Sequence, residues 1–186
     1  METWMIWAGF AAIILFLVVL YNRIIGLQQT RKNAFSDIDV QLKLRHDLVP
    51  NLVNTVKGYA EHEKGVLETV TAARANAMKE TTIDGKTGAE QVLGAAMVKL
   101  MAVAEAYPDL KADQNFQKLQ DELSDIENKI AAARRFFNNA TSEYNTAIQQ
   151  VPAVFVARMF GFTDEEFFEL SELEKQAVDT PPEVSF

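Results

Sequence analysis

The chain has no cysteine, two histidines, five prolines and eight glycines among its 186 residues. Without cysteine there is no disulfide framework and no thiolate to serve as nucleophile or metal ligand. So little glycine and proline also argues against a loop-rich β fold built on tight turns. Basic residues are outnumbered 18 to 26, for a formal net charge of −8; a protein that holds nucleic-acid phosphates needs the opposite balance. The deficit is local. From Asp164 to Glu183 eight acidic residues face only Lys175, and the rest of the chain is nearly neutral.

Catalytic signatures are missing as well. There is no Gly-x-Ser-x-Gly elbow, no His-Glu-x-x-His zinc motif and no Glu-x-x-His pair of a di-metal bundle. DGKTG at 84–88 has the ending of a phosphate-binding loop, but Glu80 stands where the leading glycine is required and no strand precedes it. No catalytic, cofactor-binding or metal-ligating residue is assigned, no cofactor is implied, and an enzyme is not expected.

Charge is also absent from Thr3 to Tyr21, within METWMIWAGFAAIILFLVVLYN. As a helix this run covers roughly 30 Å, the thickness of a bilayer core. Trp4, Trp7 and Tyr21 lie near its ends, where interfacial aromatics belong. A cleaved signal peptide fits less well, because a basic leading region and a small-residue cleavage site are both missing. The run predicts a single-pass membrane anchor over residues 1–22. Arg23, Arg31 and Lys32 come after it and before the first acid at Asp37, so the positive-inside rule puts the N-terminus outside and the remainder in the cytoplasm.

Beyond the anchor, the chain has the period of helices packed along narrow seams. Ile24, Leu27, Arg31, Ala34, Ile38, Leu42, Arg45, Val49, Leu52, Val56, Tyr59, Glu63, Val66, Val70, Ala73 and Ala77 recur at spacings of three and four. A second ladder, Phe116, Leu119, Leu123, Ile126, Ile130, Ala133, Phe137, Ala140, Tyr144, Ala147 and Val151, is apolar at every rung. A middle helix is expected from Ala89 to Tyr107, with Val92, Ala96, Leu100, Val103 and Tyr107 on one face. Thr87 and Glu90 form a capping box for it, and Pro108 ends it. Asp113 is the expected N-cap of the third helix and Pro152 its stop. Gly161 closes a short apolar helical turn. Thr163 and Glu166 read as another capping box, stapled by Phe162 and Phe167, for an acidic helix from Asp164 to about Val178; the remainder, DTPPEVSF, reads as a disordered tail.

Within the first ladder, RHDLVPNLV at 45–53 invites two readings. Pro50 has no N–H, so the carbonyl of His46 loses its helical partner and a bend or break is expected; alternatively Asp47 caps a fresh helix with Pro50 in its first turn. A metal site is disfavoured, because the second histidine, His62, lies roughly 160° further around an ideal helix. Arg31, Arg45 and Glu63 interrupt the same seam. Such residues either set helix register or form a polar socket for a partner.

Three stretches resemble the LemA family of bacterial membrane-anchored helical proteins: 36–63 (SDIDVQLKLRHDLVPNLVNTVKGYAEHE), 102–145 (AVAEAYPDLKADQNFQKLQDELSDIENKIAAARRFFNNATSEYN) and 152–162 (PAVFVARMFGF). The resemblance implies an anchor followed by an elongated antiparallel helical bundle, and a related branch is associated with building magnetosome membranes. It carries over no catalytic residue. Val151 departs from the family pattern, in which an aromatic is expected before the proline.

The sequence therefore predicts an all-α protein: an anchor at 1–22, a bundle with long coiled-coil-like helices at 23–162, and an acidic helix and tail at 163–186. Its expected role is that of a membrane-anchored scaffold or interaction protein in envelope organisation or stress response, or else of an accessory subunit to a membrane enzyme such as a protease. Helix lengths add self-association. A first helix from Asn22 to Ala77 is about 80 Å long, the middle one about 30 Å and the third about 60 Å. Arranged up, down and up, the third overshoots the first. Phe137, Tyr144, Val151, Phe155, Met159, Phe160 and Phe162 then become the expected interface between copies.

Overall fold

The computed structural model describes residues 3–168. Among them every regular element is helical: α1 (Thr3–Tyr59), α2 (Lys64–Ala77), α3 (Ile83–Glu105), α4 (Pro108–Lys111), α5 (Gln114–Gln149) and α6 (Ala153–Phe160). The tail from residue 169 and most of the expected acidic helix lie outside the described residues. The chain divides into two compact units, which α1 and α5 both traverse.

One unit contains residues 41–130. Here α1, α2, α3 and the first part of α5 surround an apolar core that includes Leu52, Val56, Val70, Leu93, Leu100, Leu110 and Phe116. Contacts fix the directions. Arg74 Nε donates to the His46 carbonyl, so α2 runs back along α1. Tyr59 donates to Asp113 and Arg45 to Glu127, so α5 also runs antiparallel to α1. Asp113 caps α5 as expected, accepting from the Phe116 N–H at 2.9 Å.

The other unit contains residues up to Val40 and 131–167. The Phe35 ring meets that of Phe137 at a tilt of 52°, and Arg31 reaches Thr141, again with opposed helix directions. Leu20 and Ile24 of α1, Tyr144 and Ile148 of α5, and Val156 and Ala157 of α6 form its core. Gly161, at φ 75°, ends α6 in the left-handed conformation that glycine adopts without strain, and the Phe162 N–H closes the cap on the Ala157 carbonyl.

Several expectations are corrected. The first helix does not continue to Ala77; it stops at Tyr59, and residues 60–63 turn the chain into α2. The three-and-four spacing carries across this turn and hides it, although Gly58 and Gly65, weak helix formers, flank it. The extra helix reverses α5, and the overshoot vanishes. Phe137 and Tyr144, expected on the surface between copies, are buried inside the chain. No break occurs at Pro50, which sits within an uninterrupted α1. α3 starts at Ile83, where Thr82 accepts from the Gly85 N–H; Thr87 lies inside the helix, so there is no capping box with Glu90. Its buried face is Leu93, Ala96, Met97, Leu100 and Ala104, while Val92 is exposed. Residues 162–168 form no helix, so the Thr163–Glu166 box is absent too.

Candidate functional site

The buried polar groups gather around two arginines of α1, Arg31 and Arg45. Fourteen residues separate them, two heptads, so both point into the same seam.

Arg45 is only 2% exposed. Its guanidinium pairs with Glu90 of α3, itself 3% exposed, and with Glu127 of α5 at 2.9 Å. The second oxygen of Glu90 meets His46 Nε2 at 2.6 Å. Burial, then the positive charges of Arg45 and Arg74, lower the His46 pKa from 6.5 to about 4, more than offsetting nearby Asp47. At neutral pH the imidazole is therefore uncharged and its Nε2–H donates to Glu90. One carboxylate thus receives a guanidinium from one residue of α1 and an imidazole from the next. A buried pair of this kind is costly unless its remaining bonds are made; here both carboxylate oxygens are used, while Arg45 Nε is left without a hydrogen-bond partner among the described residues.

Beneath it lies the answer to the proline. Pro50 removes the N–H that would reach the His46 carbonyl, and Arg74 of α2 donates to that carbonyl at 2.6 Å. The orphaned acceptor is supplied from a neighbouring helix, and α1 continues. Asp47 is exposed and caps nothing among the described contacts.

Arg31 has different partners. Nε donates to the Thr141 hydroxyl at 3.0 Å, one terminal nitrogen donates to the Glu166 carbonyl at 2.8 Å, and the other pairs with the Glu165 carboxylate at 3.0 Å. The guanidinium lies 4.8 Å over the Phe137 ring, a cation–π distance. Asn145 adds a reciprocal amide pair to the backbone of Glu165, both bonds 2.9 Å, and Gln149 donates to Asp164. Together these bonds strap residues 164–166 onto α1 and α5. Burial, followed by the charge of Glu165, pushes the Tyr144 phenol above its usual range.

Chemically, the charged ends are matched within each cluster: Arg45 with Glu90 and Glu127, and Arg31 with Glu165. Among the described residues, no three His, Cys, Asp or Glu side chains are placed to hold a metal ion. His62 lies exposed in the turn after α1, apart from the His46 cluster. Glu63, the third polar rung, sits at the start of α2 and makes no side-chain cap bond. Spacing singles out Arg31 and Arg45 but misses Glu90 and Arg74. No local pattern marks those two; the one available signal is that a buried Arg45 and an orphaned His46 carbonyl each demand a partner.

The model described as "LemA family" matches residues 34–186. The chain is similar to Magnetosome protein MamQ of Magnetospirillum gryphiswaldense, 29% identical over 196 residues that cover 91% of this chain and 71% of that protein. It is equally similar to Magnetosome protein MamQ 2 of Paramagnetospirillum magneticum, with the same identity and coverage. Protein LemA of Metamycoplasma hominis is 26% identical over 164 residues, 86% of this chain and 73% of that one. The matched range contains the whole Arg45 cluster and begins three residues after Arg31.

Proposed function

Because the chain belongs to the LemA family, we propose that it is a membrane-anchored helical platform, without catalysis of its own, that gathers partners and further copies of itself at the bilayer in the service of envelope organisation. One observation carries the reading. α1 contains an 18-residue window of mean hydropathy 2.4, only 6% of it buried, and passes without interruption into packed helices. An apolar helix left uncovered by its own chain needs a solvent other than water, and its length suits a bilayer. The closed Arg45 cluster supports a structural role: its charges hold α1, α3 and α5 together and leave none aimed at a substrate. Relatives named for the magnetosome fit a task tied to a membrane structure.

The platform is assigned to the cytoplasmic side, with the N-terminus outside, on the exposed cations Arg23 and Lys32 beyond the span. A reporter active only outside the cytoplasm, fused after Phe186, is expected to be silent; an active fusion reverses the assignment. For the platform itself, crosslinking in intact cells followed by purification in mild detergent is expected to give self-adducts and several membrane partners. A single foreign membrane protein at fixed stoichiometry would instead make the chain an accessory subunit.

A further inference from the structure

α6 is short, apolar and two-faced. It begins after the cis Val151–Pro152 bond, buries Val156 and Ala157 against Leu20, Ile24, Tyr144 and Ile148, and turns its other side outward. On that side Phe155 and Met159 are 66% exposed each; Val151, just before the helix, is 77% exposed, and Phe160, at its end beside α1, is 55% exposed. Only Arg158 among the α6 residues carries charge, and it is exposed too.

The place of this surface identifies its occupant. Its inner face packs on Leu20 and Ile24, and the Phe160 and Phe162 rings lie 4.8 Å and 5.8 Å from the ring of Tyr21. Tyr21 is the last aromatic residue of the uncharged stretch, and Arg23 is the first cation after it. α6 is thus fixed beside the end of the apolar span, at the depth where hydrocarbon gives way to headgroups. A helix with large apolar side chains outward and one arginine at its edge suits that boundary, the arginine reaching phosphate while the rings enter the acyl region.

From this continuity we infer that α6 is a second, monotopic membrane contact, with Val151, Phe155, Met159 and Phe160 immersed in the leaflet that the span enters at Tyr21. The proposal rests on the anchor reading above, and it reassigns to lipid the residues that the sequence offers to a second copy.

The absence of cysteine makes the test direct. Full-length Phe155→Cys, Met159→Cys, Ile14→Cys and Glu68→Cys variants, each labelled with an environment-sensitive fluorophore, are reconstituted into phosphatidylcholine vesicles containing a minority of phosphatidylglycerol. Quenching by lipids bearing a nitroxide at a shallow acyl position is compared with quenching by aqueous iodide. Labels at 155 and 159 are expected to be quenched several-fold more by shallow nitroxide than by iodide, the label at 68 the reverse, and the label at 14 by nitroxide placed deep in the chain. Iodide-accessible labels at 155 and 159, with the label at 14 still in lipid, would overturn the inference alone. Labels shielded from both quenchers until excess lipid dilutes the protein would give the face to another copy, which also overturns it. A label at 14 outside the lipid would remove the anchor reading and this inference with it.

Discussion

Arg31 and Arg45 occupy equivalent rungs of one helix, and the chain buries them by opposite means. Around Arg45 the partners come from other helices and are chiefly two carboxylates, one of them shared with a neutral histidine, with the Glu90 carbonyl at 3.5 Å. Around Arg31 they are a hydroxyl, a ring face, a backbone carbonyl and one partly exposed carboxylate, two of them from a segment without regular structure. The first arrangement fixes the register of three helices, because moving any of them strands a charge in a dry core. The second ties down a strap, which backbone acceptors allow because they do not require a particular side chain. An arginine in an apolar seam is therefore no failure of the seam; it marks where a distant segment must arrive.

The largest effect that would break this comparison lies in the Arg45 region. Glu90→Ala leaves a buried guanidinium with one half-exposed partner and an imidazole with no acceptor, and should lower the unfolding free energy by about 3–5 kcal/mol. Denaturant unfolding of the full chain in detergent, tracked by circular dichroism, reads it; a loss of only about 0.5 kcal/mol, typical of a surface change, would mean that water reaches the cluster.

Acid sharpens the same contrast. With His46 at about 4 when folded and 6.5 when unfolded, the unfolded chain takes up the proton first. Stability is unaffected by this group above pH 6.5, falls as pH drops from 6.5 to 4, and then levels off, for a total of about 3 kcal/mol. His46→Gln keeps a neutral donor toward Glu90 and should lack that part of the decline; parallel curves for the two proteins would refute it. Among the described residues, Arg31 has no histidine at its guanidinium. Arg31→Ala should cost about 2 kcal/mol and raise hydrogen exchange at residues 162–168 while leaving α2 and α3 protected. Unchanged protection of the strap would show that the Asn145 pair suffices.

The smallest effect tests the proline repair. Arg74→Ala should cost about 1 kcal/mol in the chain carrying Pro50. It should cost clearly less in Pro50→Ala, where residue 50 regains the N–H that the His46 carbonyl needs. Equal costs in both backgrounds would remove the coupling.

Much of this architecture is readable from residue spacing. Every rung of the α5 ladder from Phe116 to Ala147 is buried or half-buried, because polar and charged residues fill most of the other positions and leave the apolar stripe one phase. In α3 the run VLGAAMV is apolar on all sides, so spacing alone cannot choose between Val92 and Leu93, and the choice depends on neighbours instead. Glu90 misleads for a related reason: three residues after a threonine, it has the local look of a cap, and only Arg45, distant in sequence, makes it a core residue. The turn at 60–63 escapes notice because the seam spacing continues across it. Long-range partners decide each of these cases, and a single sequence does not record them.

Pro50 has a consequence for how such a chain can drift. Once proline occupies that position, position 74 on another helix is no longer free, because its side chain finishes a backbone bond that the proline cannot. The reverse order is open: a donor at 74 is harmless when residue 50 has its own N–H. Histories that acquire the arginine first and the proline second pass through no weakened intermediate, whereas the opposite order does. Across relatives the two positions should therefore read as one inherited choice, with arginine lacking proline tolerated and proline lacking a donor rare.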